Sequence, residues 1–421
     1  MAGTAGENTA REGAAREGTA RGNAARGSAG RTPGGALRQA NLAAVLAVLR
    51  GAGPATGTDL IAATGLSRAT VIAVCDSLAA LGWARELDTL RDAASGMGRP
   101  ARRFEFNASA GAVLGIDVGP ERTTVVAADL AGRLLGRSAG THARHSGSRR
   151  LDTIEDAALE ALDAAGLPPS SVLAVGAGVA AAVDRTGHIP HSQRFWESLD
   201  LGLPEFLLRR RGWPVLLEND ANVAALAEHW LGAGAGVDDL AVLLAGERLG
   251  AGLLESGRLL HGSRGGAGEM AYLDLVEGVG SPEGIGRLVR RWGTDAAAEG
   301  SALARRASAS GGELSAEQVF AAAADGDATA AAILDRVAER MARVVATLGT
   351  MFNPELVVLG GGVADSAAVL LTGIRDRLPR FTATPPRVEV SVLGDSIVPL
   401  GAVRLALDYV ERNALSLRLS G

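Results

Sequence analysis

The sequence contains no lysine; all 42 of its basic residues are arginine. Chemistry that requires a lysine, such as a P-loop or a Schiff base, is therefore excluded. A GC-rich gene is a sufficient cause of that bias. Cys75 is the only cysteine, which rules out a disulfide framework or a thiolate-rich zinc site within one chain. Apolar residues make up 47% of the chain, yet no run nears the roughly 20 residues that cross a bilayer. The N-terminus also lacks the apolar centre of a signal peptide, so a cytoplasmic protein is expected. Positive charge is not in excess either: 42 arginines face 47 acids, for a net charge of −5. Attraction to nucleic acid must then come from a local patch. What the chain does have is length, since 421 residues suffice for two or three domains.

Residues 1–35 are mostly Gly, Ala, Thr and Arg and cannot bury enough surface to offset ordering, so a disordered tail is expected there. From Leu37 the apolar residues fall at helical spacing through Leu42, Val45, Leu46 and Leu49 to the break at Gly51-Ala52-Gly53-Pro54. Thr58 to Ala63 reads as a short second helix closed by Thr64-Gly65. Ser67 opens a third that runs to about Leu81, with Val71, Val74 and Leu78 facing inward. A serine there can cap the helix by accepting a backbone N–H one turn on, and Gly65-Leu66 gives the tight entry of a helix-turn-helix. An ordinary capped helix in an all-α unit would read the same way, so the neighbours must decide. Trp83 to Leu87 and Gly98 to Phe106 are strand-like, which completes the plan of a winged helix-turn-helix over residues 36–108.

On that plan Ser67, Arg68 and Thr70 are the first exposed polar side chains of the recognition helix, where base and phosphate contacts fall. Arg99 precedes Pro100 on extended backbone suited to a minor groove, with Arg102 and Arg103 near phosphates. Residues 36–105 hold eight arginines against six acids. The module is only mildly basic, and two copies are expected to be needed. Cys75, on the inner half of the third helix, reads as a small core residue.

After Ala110 the pattern changes. Ala112 to Gly119 is an apolar strand ending in Asp117-Val118-Gly119; Thr123 to Ala128 is a second, and Gly132-Arg133-Leu134-Leu135 begins a third. The same plan returns at Leu240 to Leu244, Gly250 to Leu254 and Gly257-Arg258-Leu259-Leu260. The two Gly-Arg-Leu-Leu tetrapeptides are 125 positions apart, as expected for two similar α/β lobes across a cleft over residues 112–413.

These segments resemble the ROK family of sugar kinases and winged-helix transcriptional regulators, from Leu37 to about Arg412. The resemblance implies an α/β fold class: a winged helix-turn-helix followed by a two-lobed actin-like (RNase H-like) domain. Its most specific piece is Glu218-Asn219-Asp220-Ala221-Asn222, in which the family's aspartate binds a sugar hydroxyl and is the general base of the kinases. Asn353 to Gly362 resembles the late strand and glycine turn that approach nucleotide. Other positions depart from the family. The kinase phosphate loop Asp-x-Gly-Gly-Thr is here Asp117-Val118-Gly119-Pro120-Glu121, where a proline removes an N–H and a glutamate repels phosphate. Gly268-Glu269-Met270-Ala271-Tyr272 stands where the family has Gly-Glu-x-Gly-His, and 274–282 lacks the family's zinc cysteines, so no metal is expected. The sugar-binding asparagine is replaced by Gln193 or Arg194.

The resemblance thus implies a DNA-binding regulator, a repressor of carbohydrate genes without kinase activity and without a cofactor. Its partners would be an inverted-repeat duplex and a sugar or sugar derivative held by Asn219, Asp220, Glu269, Tyr272 and Arg194. It would act as a homodimer or homotetramer. The alternative is an ATP-dependent sugar kinase with an accessory DNA-binding module.

Overall fold

The computed structural model describes residues 33–87, 101–142, 147–190, 200–297, 302–309, 314–362, 368–417 and 419. The first element, α1 (Pro33–Ala52), begins inside the stretch expected to be tail. Pro33 suits that start, because the first turn of a helix has no use for its missing N–H. Then follow a two-residue strand β1 (Ala55–Thr56), α2 (Gly57–Thr64), α3 (Arg68–Ala80), β2 (Ala84–Leu87) and β3 (Arg103–Phe106). β1 had no sequence signal. It pairs with β3, which also pairs with β2, to make a three-stranded antiparallel sheet.

Local chemistry sets these boundaries. Thr56 and Asp59 form a reciprocal capping box at the start of α2. Gly65 ends it at φ +68°, a conformation in which a Cβ is strained. Ser67 Oγ then accepts the Thr70 N–H at 3.2 Å and opens α3. Leu49, Leu60, Leu78, Trp83 and Phe104 are fully buried in this unit, each contributing about 2–3 kcal/mol relative to exposure. Cys75 is buried among them, and burial pushes its thiol up to about 11.

The rest of the chain builds two five-stranded sheets on one plan. The first joins β4 (Ala112–Val118), β5 (Arg122–Asp129), β6 (Leu134–Thr141), β7 (Val172–Val179) and β8 (Val215–Asn219) in the order β6-β5-β4-β7-β8. The second joins β9 (Leu240–Leu244), β10 (Gly250–Glu255), β11 (Arg258–Leu259), β12 (Leu356–Gly360) and β13 (Arg387–Val390) in the order β11-β10-β9-β12-β13. In each, three antiparallel strands are followed by two parallel ones. The repeated tetrapeptide falls at matching places, just after the second strand of each meander. Helices α4 (Gly147–Ala164) and α5 (Leu203–Arg211) serve the first lobe. The second carries α7 (Ile285–Asp295), α8 (Ala302–Ala309), α9 (Ala316–Ala324), α10 (Ala328–Phe352) and α11 (Leu371–Arg377).

Two helices cross where the lobes meet: α6 (Asp220–Leu231) and α12 (Ile397–Asn413). The crossing is close enough that a Cβ on Gly401 would lie 1.6 Å from the Val223 carbonyl oxygen. α12 begins beside the strand ends of both sheets and finishes against the N-terminal unit. There Leu407, Val410 and Ala414 share one core with Leu46, Leu49 and Trp83, and Arg50 pairs with Glu411. The boundary expected near residues 108–112 is therefore a change of architecture within a continuous core.

Candidate functional site

Strand β8 ends and α6 begins at Asn219-Asp220, and this junction sets the geometry of the cleft. The Asn219 amide is committed locally: Oδ1 accepts the N–H groups of Ala221 and Asn222 at 2.9 and 3.1 Å, and Nδ2 donates to the Ala181 carbonyl at 3.1 Å. Asn219 is thus the helix cap that aims Asp220. Glu218, buried behind it, binds the Asn219 N–H, the Asn222 amide and His261 Nε2 at 2.9, 2.9 and 2.8 Å. His261 belongs to the second lobe, so this bridge ties the lobes at the cleft edge. Its partner 43 residues away left no local signal in the sequence.

Asp220 is half-buried at the first position of α6. Its carboxyl is pushed up to about 7, by burial first and then by Asp117, and less by Glu269. A helix N-terminus and a bond from the Ala221 N–H favour the charged form, but desolvation and like charge outweigh them. Asp117, at the end of β4, is raised to about 6 by burial and then by Asp395. Burial also raises Glu269, with Arg248 acting against it. Three acids drawn from two lobes thus face one another with more negative charge than the site comfortably holds. Such a cluster accepts hydrogen bonds from hydroxyls or captures a proton. Among the described residues no group of three His, Cys, Asp or Glu side chains has metal-site geometry.

Tyr272 does not join them. Its ring is 71% exposed at the start of a short 3-10 turn over Leu273–Leu275. Gln193 and Arg194 lie outside the described residues. The turn after β4 carries Gly119, whose carbonyl is held by Arg150 Nη2 at 2.6 Å. The corresponding turn after β9 in the second lobe carries Glu247, paired with Arg290 at 2.7 Å. After β12 the glycine turn passes Gly361 and Gly362, the latter beside Asp395.

At the other end of the molecule Ser67 and Arg68 are exposed and Thr70 is half-buried. Ser67 spends its hydroxyl on the cap and on Thr70 Oγ1 at 2.9 Å. Arg102 has partners within the unit. Its guanidinium binds both Glu86 oxygens and Asp76 at 2.7 Å and stacks 4.8 Å over the Phe104 ring. It braces the sheet against α3, and neighbouring Arg103 is the exposed one. Arg99 lies outside the described residues.

In the second lobe Arg340 is buried on α10 and holds the 279–283 loop. Its Nε donates to the Val279 carbonyl at 2.8 Å and its Nη2 to the Ser281 carbonyl. This is the segment from which the zinc cysteines are missing. An arginine with three helices between it and the loop gave no hint of the role.

Two α/β lobes on one plan, joined by crossed helices, follow a small N-terminal unit that shares its core with α12. The chain belongs to the ROK family, whose model matches residues 113–409. It is 28% identical over 312 residues to a glucokinase of Halalkalibacterium halodurans, covering 68% of this chain and 92% of that protein. It is 25% identical over 393 residues to the xylose repressor of Caldicellulosiruptor bescii, covering 88% and 96%. A Mycobacterium bovis transcriptional regulator is 29% identical over 403 residues, covering 91% and 89%. Among solved structures, a ROK family transcriptional regulator homologous to the Escherichia coli Mlc protein has a TM-score of 0.71 at 23% identity, covering 91% of this chain and 98% of that one. That last similarity speaks to the fold.

Proposed function

We propose that this chain is a cytoplasmic DNA-binding transcriptional regulator, a repressor of carbohydrate genes whose N-terminal unit is a winged helix-turn-helix. It works as a homodimer or homotetramer on an inverted repeat, and a sugar or sugar derivative in the carboxylate cleft is its effector. The observation that carries this reading is coverage. Relatives named as a repressor and a regulator align over 88% and 91% of the chain, N-terminal unit included, whereas the glucokinase aligns over 68%. The acids and the proline in the phosphate-facing turns support loss of phosphoryl transfer.

On this reading Arg68 and Arg103, exposed on α3 and β3, contact duplex together with Ser67, Thr70, Arg99 and Arg102. Asp220 and Glu269 accept effector hydroxyls, and Asn219, Tyr272 and Arg194 are further proposed contacts. About 1–3 kcal/mol of coupling between sites is enough for release. The test is binding of purified protein to its own upstream DNA against scrambled duplex at moderate salt. Arg68→Ala should weaken binding and lower the salt slope by about one counterion; equal affinity for both duplexes removes the proposal. The kinase reading has one observation in its favour, an Asp220 poised near neutrality as a base requires. Release of ADP in the presence of hexoses would establish it.

A further inference from the structure

A cavity of about 1100 Å³ opens at the side of the molecule, where the edge strand β8 of one sheet meets the β10–β11 hairpin of the other. Its walls include none of Asp117, Asp220 and Glu269, so it is distinct from the carboxylate cleft. The floor is aliphatic, from Leu216, Leu217, Leu226, Leu259 and Leu405. Charged groups line the rest, and they divide into two kinds.

The acids are mostly committed to the protein. Asp184 closes a turn onto Thr186 and His188, Glu218 takes His261, and Asp408 takes Arg404. Asp200 accepts the Gly202 N–H, and Glu205 alone of the lining acids stands exposed without a partner among the described residues. The arginines are different. Arg185 from the 184–188 turn, Arg258 from β11 and Arg412 from the end of α12 are all exposed and make no ion pair or hydrogen bond among the described residues. Three guanidinium groups without a partner among the described residues thus stand around one concavity, beside five acids of which Asp408 is paired with Arg404 and Glu218 with His261.

A concave mouth with an apolar floor focuses the field of such charges. Guanidinium groups match carboxylate and phosphate oxygens in bidentate geometry, while leucine walls favour a body without hydroxyls. We infer that this cavity is a second ligand site, one that takes a small organic anion with its carboxylate or phosphate head among Arg185, Arg258 and Arg412 and its aliphatic or aryl body on the leucine floor. A polyol suits the acidic cleft, and an amphipathic anion suits this one. The site contacts both lobes and the end of α12, one residue from the Glu411 that meets Arg50.

The test uses the full chain and the dye 1-anilinonaphthalene-8-sulfonate, an aryl anion that brightens in apolar surroundings. Saturable binding is expected, weakened about tenfold or more when Arg258→Glu and Arg412→Glu are combined. Leu216→Trp, which fills the floor and leaves the arginines, should weaken it as well, with thermal melts confirming that each variant is folded. Octanoate or octyl phosphate should displace the dye, and their relative potency identifies the head group the mouth prefers. 1-Octanol and inorganic phosphate at equal concentration should not. Dye binding unchanged in both variants, or displacement by octanol as effective as by octanoate, would overturn the assignment, because either describes only an exposed apolar surface.

Discussion

Replacing Asp220 by asparagine should stabilise the protein above neutral pH. The Asp220 carboxyl sits at about 7 in the fold against 3.8 for the ordinary group, so the folded state disfavours its charge. Full linkage over that interval is about 4 kcal/mol at 1.36 kcal/mol per pH unit. Asp220 is only half-buried and shares its proton affinity with Asp117, so about 1–2 kcal/mol is the realistic part. The sign follows from a raised carboxyl: the penalty is absent below the unfolded value near 4, grows as pH rises and is complete above the folded value near 7. Asparagine keeps the oxygen that accepts the Ala221 N–H and removes the charge. Urea denaturation should therefore place the Asp220→Asn variant about 1–2 kcal/mol above the parent at pH 8, with the difference shrinking at pH 5. A variant less stable than the parent at pH 8, or a gain equal at both pH values, would refute the account.

Other substitutions separate packing from function. Gly401→Ala forces a methyl group into the Val223 backbone and should cost about 3 kcal/mol or more, read as a lower denaturation midpoint. Ser67→Ala removes the cap of α3 and should cost about 1 kcal/mol, visible as a lower melting temperature. Arg340→Met leaves the Val279 and Ser281 carbonyls without their donor; a loss of about 2–4 kcal/mol is expected, measured by denaturation.

Local patterns were the legible ones. The serine cap, the glycine that ends α2 and the duplicated strand plan all declare themselves within a few residues, because capping, left-handed backbone and alternation are short-range effects. Asp117 and Asp220 stand where the strand pattern put them, each at the end of an apolar strand. What escaped depended on distant partners. Arg102 looked free until Glu86 and Asp76 came to it from 16 and 26 residues away. The capping bonds of Asn219 and its tie to Ala181 exist only in the fold. β1 is two residues long and owes its existence to β3, and nothing in the 340 region advertises a loop clamp 60 residues upstream.

α12 has a mechanical meaning. A helix of 17 residues is about 25 Å long, and this one is pinned between two masses. One end rests at the meeting of two acidic strand tips. The other is screwed to the small N-terminal head by Arg50 and the apolar side chains of its last two turns. A stiff beam so mounted amplifies: a tilt of about 5° at the cleft end sweeps the head by about 2 Å.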